Sequence, residues 1–432
     1  MPNSAAFSHT FAALTVPNFR RYLSGQAVSL TGGWMQGTAQ SWLVLTLTHS
    51  ATLVGVTVAV QTLPVLVLAP YGGVVADRVN KRRMILRLQY LLASQSVILG
   101  LMAALGAIRF WSLLLTGLVL GVSSAFENPA RQSMLLELVG AKHVGNAVSL
   151  YATSINLARV IGPAIAGVLI AAFGVSGCFL INAVSFVPVI VSLARMDEND
   201  LRGEPSHNRA RSGGLREGLG YVARTPGLAV PLAMMGLVGC LAFEWPVSLP
   251  YMADGGLHAG SAGYGFMTAA MSLGSVIGGL VAAGRGWTGP WYLVLSAAGM
   301  GIALVPAALA PNLAVELVVL PLVGAGNVMF MSGGNATLQL TASPEMRGRV
   351  MALWTVCFQG STPIGGPLVG AAMSAVGPRA GLGLAAATCL VAAGGGALAL
   401  RTTATDRAAT RQEAPSPSVH QTQPSGDTPE IN

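Results

Sequence analysis

The side chains able to do chemistry in this chain are few and confined to a handful of places. Arg159 stands about 13 residues into a long apolar run, roughly 20 Å from its start at 1.5 Å per residue. Glu244 stands in Phe243-Glu244-Trp245-Pro246 inside another such run. Ionised groups are costly at such depth, so each must bind something, carry a proton or bond to the chain itself. Arg159 reads as an anchor for an anionic molecule, as the partner of a titrating carboxylate, or as a structural arginine on the helix carbonyls beside Gly162-Pro163. Glu244 suits a proton carrier; the competing reading is a water-exposed acid at a helix break before Pro246. Glu316, at the start of a later run, reads as interfacial. Gln36 and Gln40 lie one turn apart and share a helix face in a stretch that also holds Gln26, Ser29, Thr31, Thr38 and Ser41. With Trp34 and Trp42 beside it, this polar stripe fits the wall of a water-filled cavity, although hydrogen bonding between helices explains glutamines equally well. Trp354 and Gln359 offer a further pair of the same kind.

Charge is concentrated in Gly72-Gly73-Val74-Val75-Ala76-Asp77-Arg78-Val79-Asn80-Lys81-Arg82-Arg83. Basic residues alone would read as an anchor keeping a loop on the cytoplasmic side, but that does not account for Asp77 after a glycine pair. Other chemistries lack their groups. Lys81 and Lys142 are the only lysines and neither follows glycine, so no phosphate-binding loop for ATP exists. No H-E-x-x-H or G-x-S-x-G occurs, and an enzyme is not expected. The cysteines Cys178, Cys240, Cys357 and Cys389 lie far apart inside apolar runs, without metal or disulfide spacing. No cofactor and no metal is expected, and the six histidines all fall in loops or at the ends of apolar runs, which argues against a histidine proton relay.

The elements that must carry these residues follow from composition. Of 432 residues, 53% are hydrophobic and 9% charged, with a mean hydropathy of +0.62; a soluble domain carries about 25% charged residues. The bilayer is therefore the solvent, and a crossing takes about 20 apolar residues in a helix. Twelve spans fit, at about 22–47, 52–75, 84–107, 110–128, 146–172 and 175–194, then 228–250, 263–284, 288–309, 313–333, 350–375 and 380–400. The expected fold is an all-α integral membrane protein of two pseudo-symmetric six-helix bundles. The division runs as a cytoplasmic N-terminus 1–21, a bundle 22–195, a linker 196–227, a second bundle 228–400 and a disordered tail 401–432. Leu215, Leu219 and Val222 mark a short amphipathic helix in the linker, lying on the membrane surface or solvated. With both termini cytoplasmic, every Lys and Arg except Arg109, Arg159 and Arg379 falls on the inner side. The pI near 9.7 then reports topology, and no nucleic-acid partner is expected. No cleavable signal peptide is apparent in residues 1–17.

An internal repeat supports the two halves. Ile161-Gly162-Pro163-Ala164-Ile165-Ala166-Gly167, running on to Gly174, aligns without gaps with Ile364-Gly365-Gly366-Pro367-Leu368-Val369-Gly370 and Gly377. Small residues such as Gly162, Pro163, Gly167, Gly366, Pro367 and Gly370 let helices approach closely in lipid. Repeats of this kind underlie alternating access in secondary transporters.

The loop at 72–83 resembles the signature of the major facilitator superfamily, G-x-L-x-D-R-x-G-R-[KR]. Gly73, Asp77, Arg78, Lys81 and Arg82 match in position and chemistry. Asn80 replaces a glycine, and Asn tolerates left-handed geometry; Lys81 replaces an arginine. Asn18-Phe19-Arg20-Arg21-Tyr22, Asn128-Pro129-Ala130-Arg131-Gln132, Asn156 to Pro163, and Arg347-Gly348-Arg349-Val350-Met351 are similar to the enterobactin-exporter-like group of siderophore and drug effluxers. The resemblance implies a cytoplasmic latch: Asp77 would face the start of the eleventh span near Ser343-Pro344-Glu345, and Lys81 would pair with Glu127, which also holds Arg131 one turn on. It implies a monomeric secondary transporter in the bacterial inner membrane, exporting a small amphipathic molecule against protons. Facilitated uptake or lipid translocation on the same scaffold, or a non-transporting sensor, are the alternatives.

Overall fold

The computed structural model describes residues 11–196, 215–286 and 288–412. The expected N-terminal segment before residue 11, the linker stretch 197–214 and the tail after residue 412 lie outside the described residues. A 3-10 turn, Ala12–Thr15, leads into α1 (Pro17–Thr48), α2 (Ala51–Arg78), α3 (Lys81–Ala104) and α4 (Phe110–Val139). The run 144–194 is broken at Gly174, whose φ of 72° turns the chain back between α5 (144–173) and α6 (175–194); only glycine takes that geometry without strain. After α7 (Leu215–Ala223) the seventh crossing is split into α8 (Pro226–Leu241) and α9 (Trp245–Tyr251), followed by a π turn, Met252–Gly256. Then come α10 (Gly260–Arg285), α11 (Pro290–Ala308) and α12 (Leu313–Thr341). The eleventh crossing is also split, into α13 (Arg347–Gln359) and α14 (Thr362–Val376), and α15 (Ala380–Gln412) closes the fold. Pro246 and Pro363 each sit in the first turn after a split, where a missing N–H costs nothing. The final helix runs past Arg401, the expected start of a disordered tail, as far as Gln412.

Among the described residues, nine stretches are long and apolar enough by themselves to cross a bilayer. The remaining crossings escape that criterion for local reasons: α5 and α6, joined through Gly174, count as a single apolar stretch, α1 is interrupted by polar side chains, and the eleventh span is split. Twelve crossings result, with side chains such as Val67, Leu115, Val184, Leu295 and Leu322 exposed on the outside, as lipid requires.

The two halves repeat each other in contacts as well as in sequence. In the first, α2 packs on α4 and α3 on α6; in the second, α10 packs on α12 and α11 on α15. The aligned glycine motifs occupy equivalent joints. Gly162 presses against Thr31 and Trp34 of α1, and Gly365 against Cys240 of α8, each inside its own bundle. Gly167 meets Ser261 and Ala262 of α10, and Gly370 meets Ala51 and Thr52 of α2, each across to the other bundle. A Cβ at Gly265 would stand 2.5 Å from the Pro163 carbonyl oxygen, and one at Gly370 2.4 Å from that of Ala51. Both seams run at the end opposite the linker, where Trp42 also stacks on Tyr264 at 6.3 Å and the hydroxyls of Thr52 and Ser374 meet at 3.2 Å.

At the linker end the first bundle is tied internally. Glu127, 4% exposed, accepts from Arg131 one turn on and from Gln89 Nε2 at 2.8 Å; Arg131 also donates to the Tyr151 hydroxyl. The linker helix α7 docks on α13, burying Gly218 and Val222 and leaving Leu219 exposed. Glu217 pairs with Arg349 at 2.7 Å, and the Ser343 amide donates to the Tyr221 hydroxyl at 3.2 Å. The helix is therefore neither free in solvent nor simply lying on lipid.

Three predictions follow from these contacts. A Thr52→Cys/Ser374→Cys variant should form a disulfide joining the two bundles, so that protein cut in the linker still migrates as one piece without reductant. Glu127→Gln should lower the detergent melting temperature by several degrees, because breaking a buried pair costs roughly 3–5 kcal/mol. Glu217→Gln, in a pair whose acid is 63% exposed, should leave it within about a degree.

Candidate functional site

A cavity of about 430 Å³ lies between the bundles. The first half supplies Trp34, Thr38 and Ser41 from α1, Val58 and Gln61 from α2, and Arg159 from α5. The second supplies Phe243, Trp245 and Leu249 at the split seventh span, Tyr264, Thr268 and Met271 from α10, Asn327 and Met331 from α12, and Phe358 from α13. Aromatic contacts stiffen the second wall: the Phe243 ring lies edge-on to Phe330 and to Phe358, both at 6.2 Å, and 6.4 Å from Trp245. The volume suits one small molecule, and the mixture of aromatic surface with a few polar groups is that of a binding pocket.

Arg159 is placed there by packing. Gly162 lets α1 come close enough that the Trp34 Cβ nearly fills its missing side chain, and the Trp34 ring then lies under the Arg159 guanidinium, 4.7 Å from its centroid. Among the described residues Arg159 makes no hydrogen bond or ion pair, and its buried Nε has no partner. It does not bond the carbonyls beside Gly162-Pro163, as a structural arginine would.

Gln36 and Gln40 are not in this cavity. On α1 the residues 34, 38 and 41 face the second bundle, and at 100° per residue positions 36 and 40 point roughly the opposite way. Gln36 Oε1 accepts from Ser96 Oγ and from Asn182 Nδ2, both at 2.7 Å, and Gln40 Nε2 donates to the Leu113 carbonyl at 3.2 Å. They line a small hollow of about 50 Å³ inside the first bundle. The expected cavity stripe is thus split, with Trp34, Thr38 and Ser41 on the central site and the glutamines joining helices. Trp354 is buried against Gly334 and Gln359 is exposed; neither lines the cavity.

Glu244 stands at the break between α8 and α9, 1% exposed, and so is not the water-exposed acid that a helix break allows. It lies behind the wall that Phe243, Trp245 and Pro246 present to the cavity. Its carboxylate sits beside Gly365 and Gly366 of α14, with Thr362 nearby, and neither oxygen has a hydrogen-bond partner among the described residues. Glu316 is wholly buried in the first turn of α12. That position fits the expected start of the tenth span, but the acid falls on the packed side of the helix, while Asn312 caps it by accepting from the Val315 amide at 3.1 Å.

The loop motif works mostly within its own bundle here. Lys81 pairs with Glu137 at 2.7 Å, not with Glu127. Lys81 begins α3 level with the end of α4, whereas Glu127 lies ten residues deeper, about 15 Å along the helix. Arg82 donates to the carbonyls of Leu193 at 2.6 Å and Ala194 at 2.8 Å, closing the end of α6. Asn80 is not left-handed: at φ −65° its Oδ1 caps α3 through the Arg83 amide. Gly72 is the packed glycine, against Ala125 of α4, while Gly73 faces open space. Asp77 and Arg78 are exposed, and Asp77 has no hydrogen bond or ion pair among the described residues. The sequence reading missed Glu137, Asn182, Tyr221 and Asn327, none of which carries a local motif.

The fold is that of known transporters. A bacterial homologue of the human lysosomal transporter Spinster, inward-facing and unoccupied, superposes with a TM-score of 0.71 at 16% identity, covering 90% of this chain and 98% of that one. A bacterial homologue of the iron transporter ferroportin, also inward-facing, gives 0.66 at 16% over 89% and 98%. Among curated proteins, the enterobactin exporter EntS of Shigella boydii is 27% identical over 82% of this chain and 85% of its own length. The multidrug efflux pump Tap of Mycolicibacterium fortuitum is 26% identical over 80% and 88%. The staphyloferrin A transporter of Staphylococcus aureus is 30% identical over 40% of this chain, a match spanning 44% of that relative's length. The family model described as "Transmembrane secretion effector" matches residues 8–426. With twelve crossings in two like halves around one cavity, the chain belongs to that family of the major facilitator superfamily.

Proposed function

We propose that this protein exports a small amphipathic molecule across the bacterial cytoplasmic membrane by alternating access, in exchange for protons. The carrying observation is the cavity between two like bundles, joined at one end by glycine seams, α2 to α14 and α5 to α10. With the N-terminus in the cytoplasm, as the placement of Lys and Arg favours, the joined end faces outward and the cavity is loaded from inside. The moving halves are residues 22–195 and 228–400. The relatives' cargoes, a siderophore or a drug-like compound, set the size class.

Glu244 is suited to couple the cycle to protons. It sits against Gly365 and Gly366, and Gly366 in turn packs on Gly55 of the opposite bundle. A charge appearing or vanishing there acts on the seam itself. On the inner side, Asp77 is free to dock at the start of the eleventh span when that side closes, taking the helix N-terminus; the Ser343 amide is held meanwhile by Tyr221. Lys81 and Arg82 keep the first bundle rigid as it moves.

Everted vesicles separate this reading from its alternatives. Substrate-linked proton release supports exchange; movement unaffected by a collapsed gradient indicates facilitated passage or lipid translocation; no movement indicates a sensor. Asp77→Asn should insert normally and slow efflux about tenfold, and normal efflux by a well-expressed variant would contradict the latch. Glu244→Gln should abolish proton release while substrate binding changes less than twofold, read by binding to purified protein.

A further inference from the structure

We infer that the central cavity selects an anionic cargo: an aromatic or amphipathic molecule whose carboxylate, or comparable oxyanion, lies on Arg159. The inference rests on the transport reading of the cavity and goes beyond it by naming the charge of what is carried.

Among the described residues, Arg159 is the only charged side chain lining the cavity; the other polar groups there are neutral hydroxyls and amides, such as Thr38, Gln61 and Asn327. No described carboxylate balances it. Glu244 is screened behind Phe243 and Trp245, and Glu127 is engaged by Arg131 at the linker end. The guanidinium rests on the Trp34 face, which fixes its plane without using any of its N–H donors. Its terminal nitrogens make no hydrogen bond and, unlike Nε, are not buried, so a forked donor set is presented to whatever enters. A carboxylate matches that fork with two parallel bonds, in surroundings where unit charges interact more strongly than in water. The facing wall of Phe243, Trp245 and Phe358 is a fixed aromatic surface for the body of the molecule. A cation entering the same space meets an unbalanced like charge, so cationic drugs are disfavoured.

The test uses three probes of one shape, 2-naphthoate, 2-naphthamide and 2-naphthylmethylammonium, with the full-length protein in lipid nanodiscs and equilibrium dialysis as readout. The native protein should bind naphthoate about ten times more tightly than the amide, with the ammonium weakest. Arg159→Gln should abolish that preference while the affinity for the amide changes less than twofold. Arg159→Lys, which keeps the charge but loses the fork, should retain part of it. Equal affinity for naphthoate and naphthamide, no measurable binding of naphthoate, tighter binding of the ammonium, or an undiminished preference in Arg159→Gln would each overturn the inference. The native-protein comparison stands even if the glutamine variant does not fold. Transport of the same probes in everted vesicles is read separately. Charge preference without movement sinks the transport reading alone, and equal movement of naphthoate and naphthamide sinks the charge selection alone.

Discussion

Two helical bundles in lipid have no hydrophobic reason to stay together, since the tails around them are as apolar as their own side chains. What joins them is the direct approach of one backbone to another at positions without a Cβ. Gly55 against Gly366, Gly370 against Ala51, Gly167 against Ser261 and Gly265 against Pro163 are such approaches. They fall on two seams related by the internal repeat and gathered at one end of the molecule. Dispersion over a tight, small contact is strong enough to hold and small enough to release, which is the property a rocking pair of bundles needs. The central cavity exists because the seams hold the halves at their edges and leave the middle open.

The same packing logic sets the site. Gly162 brings Trp34 in, Trp34 carries Arg159, and Arg159 gives the cavity its one charge. In the other half the equivalent glycine, Gly365, packs on α8 and borders Glu244. The two halves thus differ in charge at this level, with a cation on the wall of the cavity in one and an acid behind the wall in the other. Several other charges have structural duties. Glu127 and Arg131 cancel each other with Tyr151 and Gln89 in attendance, Arg82 closes α6, and Lys81 clips α3 to α4 through Glu137.

Much of the fold was legible in sequence because lipid imposes a single rule, long apolar helices, and because gap-free alignment of residues 161–167 with 364–370 exposes the duplication. The candidate site was legible only in part. Trp34 and Arg159 could be singled out because an aromatic and a charge are conspicuous in an apolar run. Gln36 and Gln40 were conspicuous for the same reason, yet they serve the inside of the bundle, through Ser96 and Asn182. Polarity in a span marks a residue that needs a partner, without saying whether the partner is water, cargo or a neighbouring helix. Lys81 was assigned the wrong acid because Glu127 and Glu137 lie on one helix, and only the stagger of α3 against α4 decides between them.

The sequence by itself determined the solvent, the number of crossings, the repeat and the superfamily, because each is written in residue types and spacings along the chain. Only the tertiary structure decided which face of α1 meets the cavity, that Arg159 stands without a counter-charge, that Glu244 lies behind the wall, and that Tyr221 occupies the start of the eleventh span. Those are relations between segments far apart in the chain, by 146 residues between Gln36 and Asn182 and by 322 between Thr52 and Ser374. They depend on the rotation and stagger of whole helices, to which local pattern is blind: half a turn of the helix moves a side chain from central cavity to bundle interior without changing a letter.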